Sequence, residues 1–454
     1  MPHRNTIIHS CKRRNLQVIL LRNQKLLNTM EIIIVGAGIG GLSAALSLSL
    51  AGHTVTVLEA SSQLAEIGAG VQLTPNSTRS FWKWGLGPDI LSHAVLPSSF
   101  NIRRDTDDSL LASVSFGKFQ EKYGAPYFVI HRADIHRILH EHGVKAGVKV
   151  RLGCKVVGYD FEGGEVTSES GEVLKADLVI AIDGIKSSAR GAFLGNAEEK
   201  WEEKTGWAAY RLMAPVEVLK ANPLTADLGN DYNCNCWSGD DRSVMTYLVK
   251  NARMLNIVLS HPDDVDTTGW TSEQYKTQIG KTFKDISPTL EALLAATNPE
   301  VQNWPVYQVK TLPKWVSDSG RFVLMGDAAH AMAFYLSMGV SLAVEDAETF
   351  TECMALMNSK GSGLPHAMKV FEKVRKRRAE AVRDASLHAG NMLHVSNREV
   401  KDARDKALAC EGVVEEGSSG ERFFAEKLSY GIADREIRDW GYGYDVRKEV
   451  EKEW

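Results

Sequence analysis

The stretch from residue 31 to residue 59 restricts the fold of this chain more than any other. Ile32 to Val35 is an apolar run of strand length, Leu42 to Ala51 reads as a helix, and Thr54 to Leu58 reads as a second strand. Between strand and helix lies Gly36-Ala37-Gly38-Ile39-Gly40-Gly41, with glycine at all three positions of the GxGxxG pattern. Strand, tight turn, helix and strand in that order form a βαβ unit of a parallel sheet. Gly36 permits the turn, Gly38 lets backbone approach a pyrophosphate, and Gly41 lets the helix pack closely. The helix N-terminus then holds negative charge. Glu59 ends the second strand, where a carboxylate accepts hydrogen bonds from an adenosine ribose. The unit predicts a dinucleotide ligand, with FAD and NAD equally compatible.

The same region would stop a hydropathy scan, because Ile32 to Gly52 carries no charge and is long enough to span a bilayer. Four glycines interrupt it and a second strand follows at once. A buried strand, turn and helix account for both features, and no integral membrane segment is expected. Residues 1–30 form a basic extension in which His3, Arg4, His9, Lys12, Arg13, Arg14, Arg22 and Lys25 precede the first acid, Glu31. A transit peptide has this composition, and so does a dispensable extension ahead of Met30. The expected location is cytoplasmic, with organelle import open.

At 454 residues the chain exceeds one ordinary core, so two lobes are expected. Strands at Ala176 to Ile182 and Phe322 to Met325 match the character of the first. They predict a discontinuous Rossmann-like α/β domain over 31–205 and 315–385. Residues 206–314 alternate in strand fashion at Thr205 to Met213, Val244 to Val249 and Asn256 to Ser260, then turn helical from Glu273 to Ala296. They predict a mixed or antiparallel sheet for the substrate, and 386–454 a helical C-terminal region. A formal net charge of -4 offers no footprint for nucleic acid. Cys11, Cys154, Cys234, Cys236, Cys353 and Cys410 are scattered with no Cys-x-x-Cys spacing, so no metal site is expected and a reducing compartment fits best. Cys234 and Cys236 should share one strand face.

Five segments in order resemble the single-component FAD-dependent aromatic hydroxylases, of the salicylate-hydroxylase and fungal phenol-hydroxylating kind. They are the fingerprint with Glu59; Glu66-Ile67-Gly68-Ala69-Gly70-Val71-Gln72 with Pro75-Asn76; His131-Arg132-Ala133-Asp134; Asp183-Gly184-Ile185-Lys186-Ser187-Ser188-Ala189-Arg190; and Gly326-Asp327-Ala328-Ala329-His330-Ala331-Met332, leading to Gly339 and Val344-Glu345-Asp346-Ala347. The resemblance implies FAD, with Gly70 and Val71 beside the flavin, Arg132 and Asp183 reaching the cofactor, and Asp327 accepting from the ribityl chain. It places Gly339 and Val340 at a helix whose N-terminal dipole faces the flavin, with Ser337 capping a helix from about Met338 to Leu356. His330 reads as a satisfied structural histidine.

One fingerprint rather than two implies that NADPH or NADH binds only transiently, near the Asp183 segment. The resemblance implies reduction of FAD, capture of molecular oxygen as a flavin hydroperoxide, and transfer of one oxygen atom to an aromatic, phenolic substrate. Arg211 and Tyr247 match a substrate-activating pair in some fungal relatives, the arginine holding a phenolate and the tyrosine hydrogen-bonding it. Ordinary strand residues remain the alternative for both. Two departures stand out. Relatives carry a proline and then a glutamine where this chain has Phe334 and Met338, which predicts a pocket for a bulkier, more apolar aromatic. A non-catalytic or redox-responsive FAD protein, or another flavin oxidoreductase, is the competing reading.

Overall fold

Strand Glu31–Val35 lies at the centre of a five-stranded sheet ordered Phe322–Leu324, Leu178–Ala181, Glu31–Val35, Thr54–Leu58, Lys149–Arg151. Every pairing in it is parallel. The computed structural model describes residues 29–64, 69–195, 199–297, 301–410 and 431–454, so most of the basic extension and residues 66–68 of the glycine loop lie outside the described residues. Ile32, Ile34, Val55, Val57, Leu178 and Ile180 are buried, as a parallel sheet covered on both faces requires. One cover is the helix Ile39–Leu50, which packs against Gly339–Lys360 and is tied to it by Ser47 Oγ and Thr351 Oγ1 at 2.7 Å. Among the described residues no helix is long and apolar enough to cross a membrane.

A seven-stranded sheet runs in the order Gln302–Val309, Glu202–Pro215, Met254–Pro262, Arg242–Val249, Asn233–Gly239, Ser99–Arg104, Leu110–Ser115. Its pairings are antiparallel except that of Asn233–Gly239 with Ser99–Arg104. The last two strands come from 31–205, the span read from sequence as cofactor-binding, and they extend the second sheet instead. The helical stretch expected from Glu273 to Ala296 is two helices, Ser272–Thr282 and Pro288–Ala295. Each starts with its own cap, for Thr271 Oγ1 accepts from Gln274 N and Ser287 Oγ accepts from Leu290 N. The helix Leu364–Leu393 runs straight through the boundary drawn at 385, followed by Arg398–Cys410, Arg435–Tyr442 and Val446–Glu453.

Candidate active site

A cavity of about 340 Å³ lies between the carboxyl ends of the parallel strands and one face of the seven-stranded sheet. Open α/β sheets bind ligands at that end. The glycine turn forms one side. Gly36 has φ +110°, and a Cβ there would sit 2.6 Å from Ile182 O; a Cβ on Gly41 would sit 2.0 Å from Gly36 O. Both positions are glycine for backbone packing, whereas a Cβ on Gly38 would meet nothing within 4 Å. Gly38 is the member that faces the cavity. Glu59 Oε2 accepts from Ala37 N at 2.8 Å, and Oε1 accepts from Ser61 N at 2.8 Å. His136 Nε2 lies 2.7 Å from Ala37 O, so the turn is held from both sides.

The opposite wall follows from strand alternation. Ser243, Met245 and Tyr247 point into the cavity from one strand, Val258 and Ser260 from the next, and Arg211 from the one beyond. The register sets Arg211 beside Val258, Val258 beside Met245, and Met245 beside Cys236, a single rung across four strands. Arg211 is half-buried, its guanidinium 5.2 Å from the Trp304 ring, and among the described residues it has no carboxylate partner. Burial lowers its pKa while Tyr247 raises it and Arg132 lowers it, which puts all three within electrostatic reach. Burial pushes the Tyr247 phenol well above its usual range, against a smaller pull from Arg211. A Cβ on Gly70 would lie 2.4 Å from Tyr247 Cε2, so only glycine lets that ring lie against the loop. Asn256 Oδ1 accepts from Gly70 N at 2.9 Å and pins the loop to the sheet.

Asp327 emerges, exposed, at the end of Phe322–Leu324 and opens the short helix Asp327–His330. The corner is braced from beneath by buried charges. Asp346 Oδ2 accepts from Gly326 N at 2.9 Å and from His330 Nε2 at 2.6 Å, while Oδ1 accepts from Arg375 Nε at 2.7 Å. Glu345 receives Arg375, Arg378 and Asn76. Arg190 donates to Ala328 O at 3.0 Å, Ile185 O at 2.8 Å and Glu202 Oε2 at 2.9 Å, tying the Asp183 loop to the Asp327 corner. Asp183 Oδ1 is buried with no hydrogen-bond partner among the described residues.

The family model described as FAD binding domain matches residues 29–386. The chain belongs to that family. It is 31% identical to the FAD-dependent monooxygenase OpS4 of Beauveria bassiana, across 92% of this chain and 95% of that protein. It is 31% identical to 3-hydroxybenzoate 6-hydroxylase 1 of Aquipseudomonas alcaligenes, across 80% of this chain and 89% of that one. The fold is similar to that of a salicylate hydroxylase substrate complex, with a TM-score of 0.72, 25% identity, and 94% and 98% of the two chains covered. Membership decides for FAD where the glycine fingerprint alone could not.

In this FAD-binding chain the cavity gathers Gly38, Gly70, Val71, Arg132, Asp327, Gly339, Val340, Arg211 and Tyr247. Gly36, Gly41, Glu59 and Asp183 stand behind that surface. Two sequence readings need correction. Ser337 does not cap the helix Gly339–Lys360; it has φ +56°, Met338 holds the cap position, and no side-chain cap bond forms. Phe334 lines the cavity, but Met338 is buried with its sulfur toward Gly441 and does not touch the pocket. Sequence reasoning missed His136, Asn256 and Arg375, which hold the turn, the loop and the corner. Arg375 had a signal: a cation at helical spacing with Arg378, opposite the adjacent acids Glu345 and Asp346.

Proposed function

We propose that the chain is an FAD-dependent monooxygenase that hydroxylates a phenolic small molecule, with NADPH or NADH as transient electron donor. The carrying observation is the placement of Arg211, a cation without a carboxylate, beside Tyr247 on the wall facing the cofactor-binding loops. The residues present fit FAD. The open space at Gly38 and Gly339 admits close approach of a ligand, and the exposed Asp327 carboxylate on the same cavity offers it an acceptor. On this reading the N-terminus of Ile39–Leu50 holds the pyrophosphate, Glu59 the adenosine ribose, and Asp327 the ribityl hydroxyls. Arg132, Gly70 and Val71 flank the ring system, with Gly339 and Val340 at its polar edge.

Bound FAD supplies the redox chemistry, passing electrons from the nicotinamide to oxygen and one oxygen atom to the substrate. The protein's own share is electrostatic. Arg211 stabilises the substrate's phenolate, which makes the ring more nucleophilic, and Tyr247 keeps its proton and donates to the same oxygen. Val258, Met245 and Cys236 exclude water from the ring. The relatives named as monooxygenases and hydroxylases support the reading.

Anaerobic reduction of the purified yellow protein by NADPH and NADH, with and without a panel of phenols, tests it. A phenol should accelerate reduction, and oxygen should then give a hydroxylated product. Arg211→Met should lower kcat/KM by roughly ten- to a hundredfold, the worth of a hydrogen bond to a charged group. Bound FAD that no nicotinamide reduces with any phenol would overturn the reading in favour of a non-catalytic flavoprotein.

A further inference from the structure

The cavity has a second polar end. Ser243 and Ser260 are cross-strand partners one rung beyond the Arg211 rung, away from Tyr247, and both line the cavity while being 5% and 2% exposed. Tyr335, from the loop above, reaches down so that its hydroxyl lies 2.9 Å from Ser260 Oγ. Ser243 Oγ lies 2.8 Å from His394 Nε2. Among the described residues, the charged side chains that line the cavity are Arg132, Arg211 and Asp327.

Counting protons shows what this end offers. The pair Ser260 and Tyr335 holds two hydroxyl protons and spends one on its mutual bond, so one O–H remains to donate. His394 is neutral, because burial, helped by Arg404 and His261, pushes its pKa down to about 3. Its Nδ1 is buried with no partner among the described residues. A bare ring nitrogen costs less when buried than an unsatisfied N–H, so the proton sits on Nε2 and is donated to Ser243 Oγ. The Ser243 O–H is then also free. Two donors thus face the cavity with no protein acceptor assigned to them among the described residues, and each is free to donate to a ligand oxygen.

We propose that Ser243, Ser260 and Tyr335 form a subsite for a neutral carbonyl oxygen at the far end of an elongated phenolic substrate. The inference rests on the reading of Arg211 and Tyr247 as the phenol site. Tyr247 and Ser243 are four residues apart on one strand, about 13 Å between backbones, a span that one benzene ring does not fill. The substrate class is therefore a phenol extended by a side chain or second ring that ends in a ketone, lactone or amide carbonyl. Ser243, Ser260 and Tyr335 are neutral donors, which match a neutral carbonyl and supply no countercharge of their own to a carboxylate.

The test compares two phenols on the FAD holoenzyme: one whose para side chain ends in a methyl ketone, and the same molecule with that carbonyl reduced to methylene. Binding is read from the perturbation of flavin absorbance, and turnover from phenol-stimulated NADPH oxidation. The ketone should bind about tenfold more tightly, and both Ser243→Ala and the double variant Ser260→Ala/Tyr335→Phe, with FAD content unchanged, should weaken that preference. Equal binding of both phenols, or a preference unchanged in both variants, overturns the subsite and leaves the phenol reading intact. If neither phenol perturbs the flavin or stimulates oxidation, the phenol reading itself fails and the subsite falls with it.

Discussion

Replacing Asp346 with asparagine tests how the corner beneath the cavity is held. The carboxylate is fully buried and accepts from three donors, Gly326 N, His330 Nε2 and Arg375 Nε. Asparagine keeps the volume and one acceptor, which can still serve Arg375. Its amide nitrogen is then turned toward the Gly326 N–H, donor against donor, and Arg375 loses half of its compensating charge. Breaking a buried pair from one side costs about 3–5 kcal/mol, and the retained acceptor places this case near the lower end. Urea unfolding of the FAD-free protein should therefore show a loss of about 3 kcal/mol. Because Gly326 precedes Asp327 directly, FAD should also bind about tenfold more weakly, by fluorescence titration. Glu345→Gln is the control: it strips Arg375 and Arg378 of the same charge but does not touch Gly326. It should cost similar stability and leave FAD affinity near wild type. An Asp346→Asn protein with unaltered unfolding, or a Glu345→Gln protein that loses FAD equally, would refute the reasoning.

Two further outcomes are expected. His394 should make stability depend on pH, because its folded pKa near 3 lies below the unfolded value of about 6.5. Between those values the unfolded chain binds a proton that the folded one excludes. The stabilisation is whole above about pH 6.5 and is lost as pH falls, at up to about 1.4 kcal/mol per unit. Wild type should lose stability faster than His394→Gln on acidification from pH ~6 to pH ~4 in that window, and parallel curves would count against it. Gly41→Ala puts a methyl 2.0 Å from Gly36 O, so the purified protein should lose its yellow colour; full FAD occupancy would contradict the packing role.

Legibility in the sequence followed the range of the contacts involved. The turn at Gly36 to Gly41, the acid at Glu59 and the corner at Asp327 are local patterns between a strand and the next element, and each is where the pattern puts it. Arg211 and Tyr247 line the same cavity because period-two alternation sends both side chains to one face of the sheet. The strand Ser99–Arg104 is harder, since its partner Asn233–Gly239 arrives from far along the chain and no local signal announces the pairing. Ser337 misleads for a related reason. A serine before a helix is a good cap, but here Ser386 donates to Ala333 O and accepts from Leu336 N, fixing the loop so that Ser337 turns left-handed. Met338 turns toward Gly441, a residue of the C-terminal helices whose position no pattern near 338 reveals.

The order of strands in the parallel sheet governs how the molecule is made. Ile32 pairs with Leu178, and Val179 pairs in turn with Phe322, so the central strand of the sheet leaves the ribosome long before its neighbour on one side, and that neighbour before its own. The early βαβ unit must wait with an open edge while the intervening chain, including strands of the other sheet, is synthesised. Such long-range parallel pairing is slow and exposes unpaired edges to other chains. Gly38 is translated early and Asp327 late, so a nascent chain acquires both sides of its cofactor cleft only when about three quarters of it exists. Free FAD in the cell would then act late, favouring the closed sheet by mass action over the waiting one.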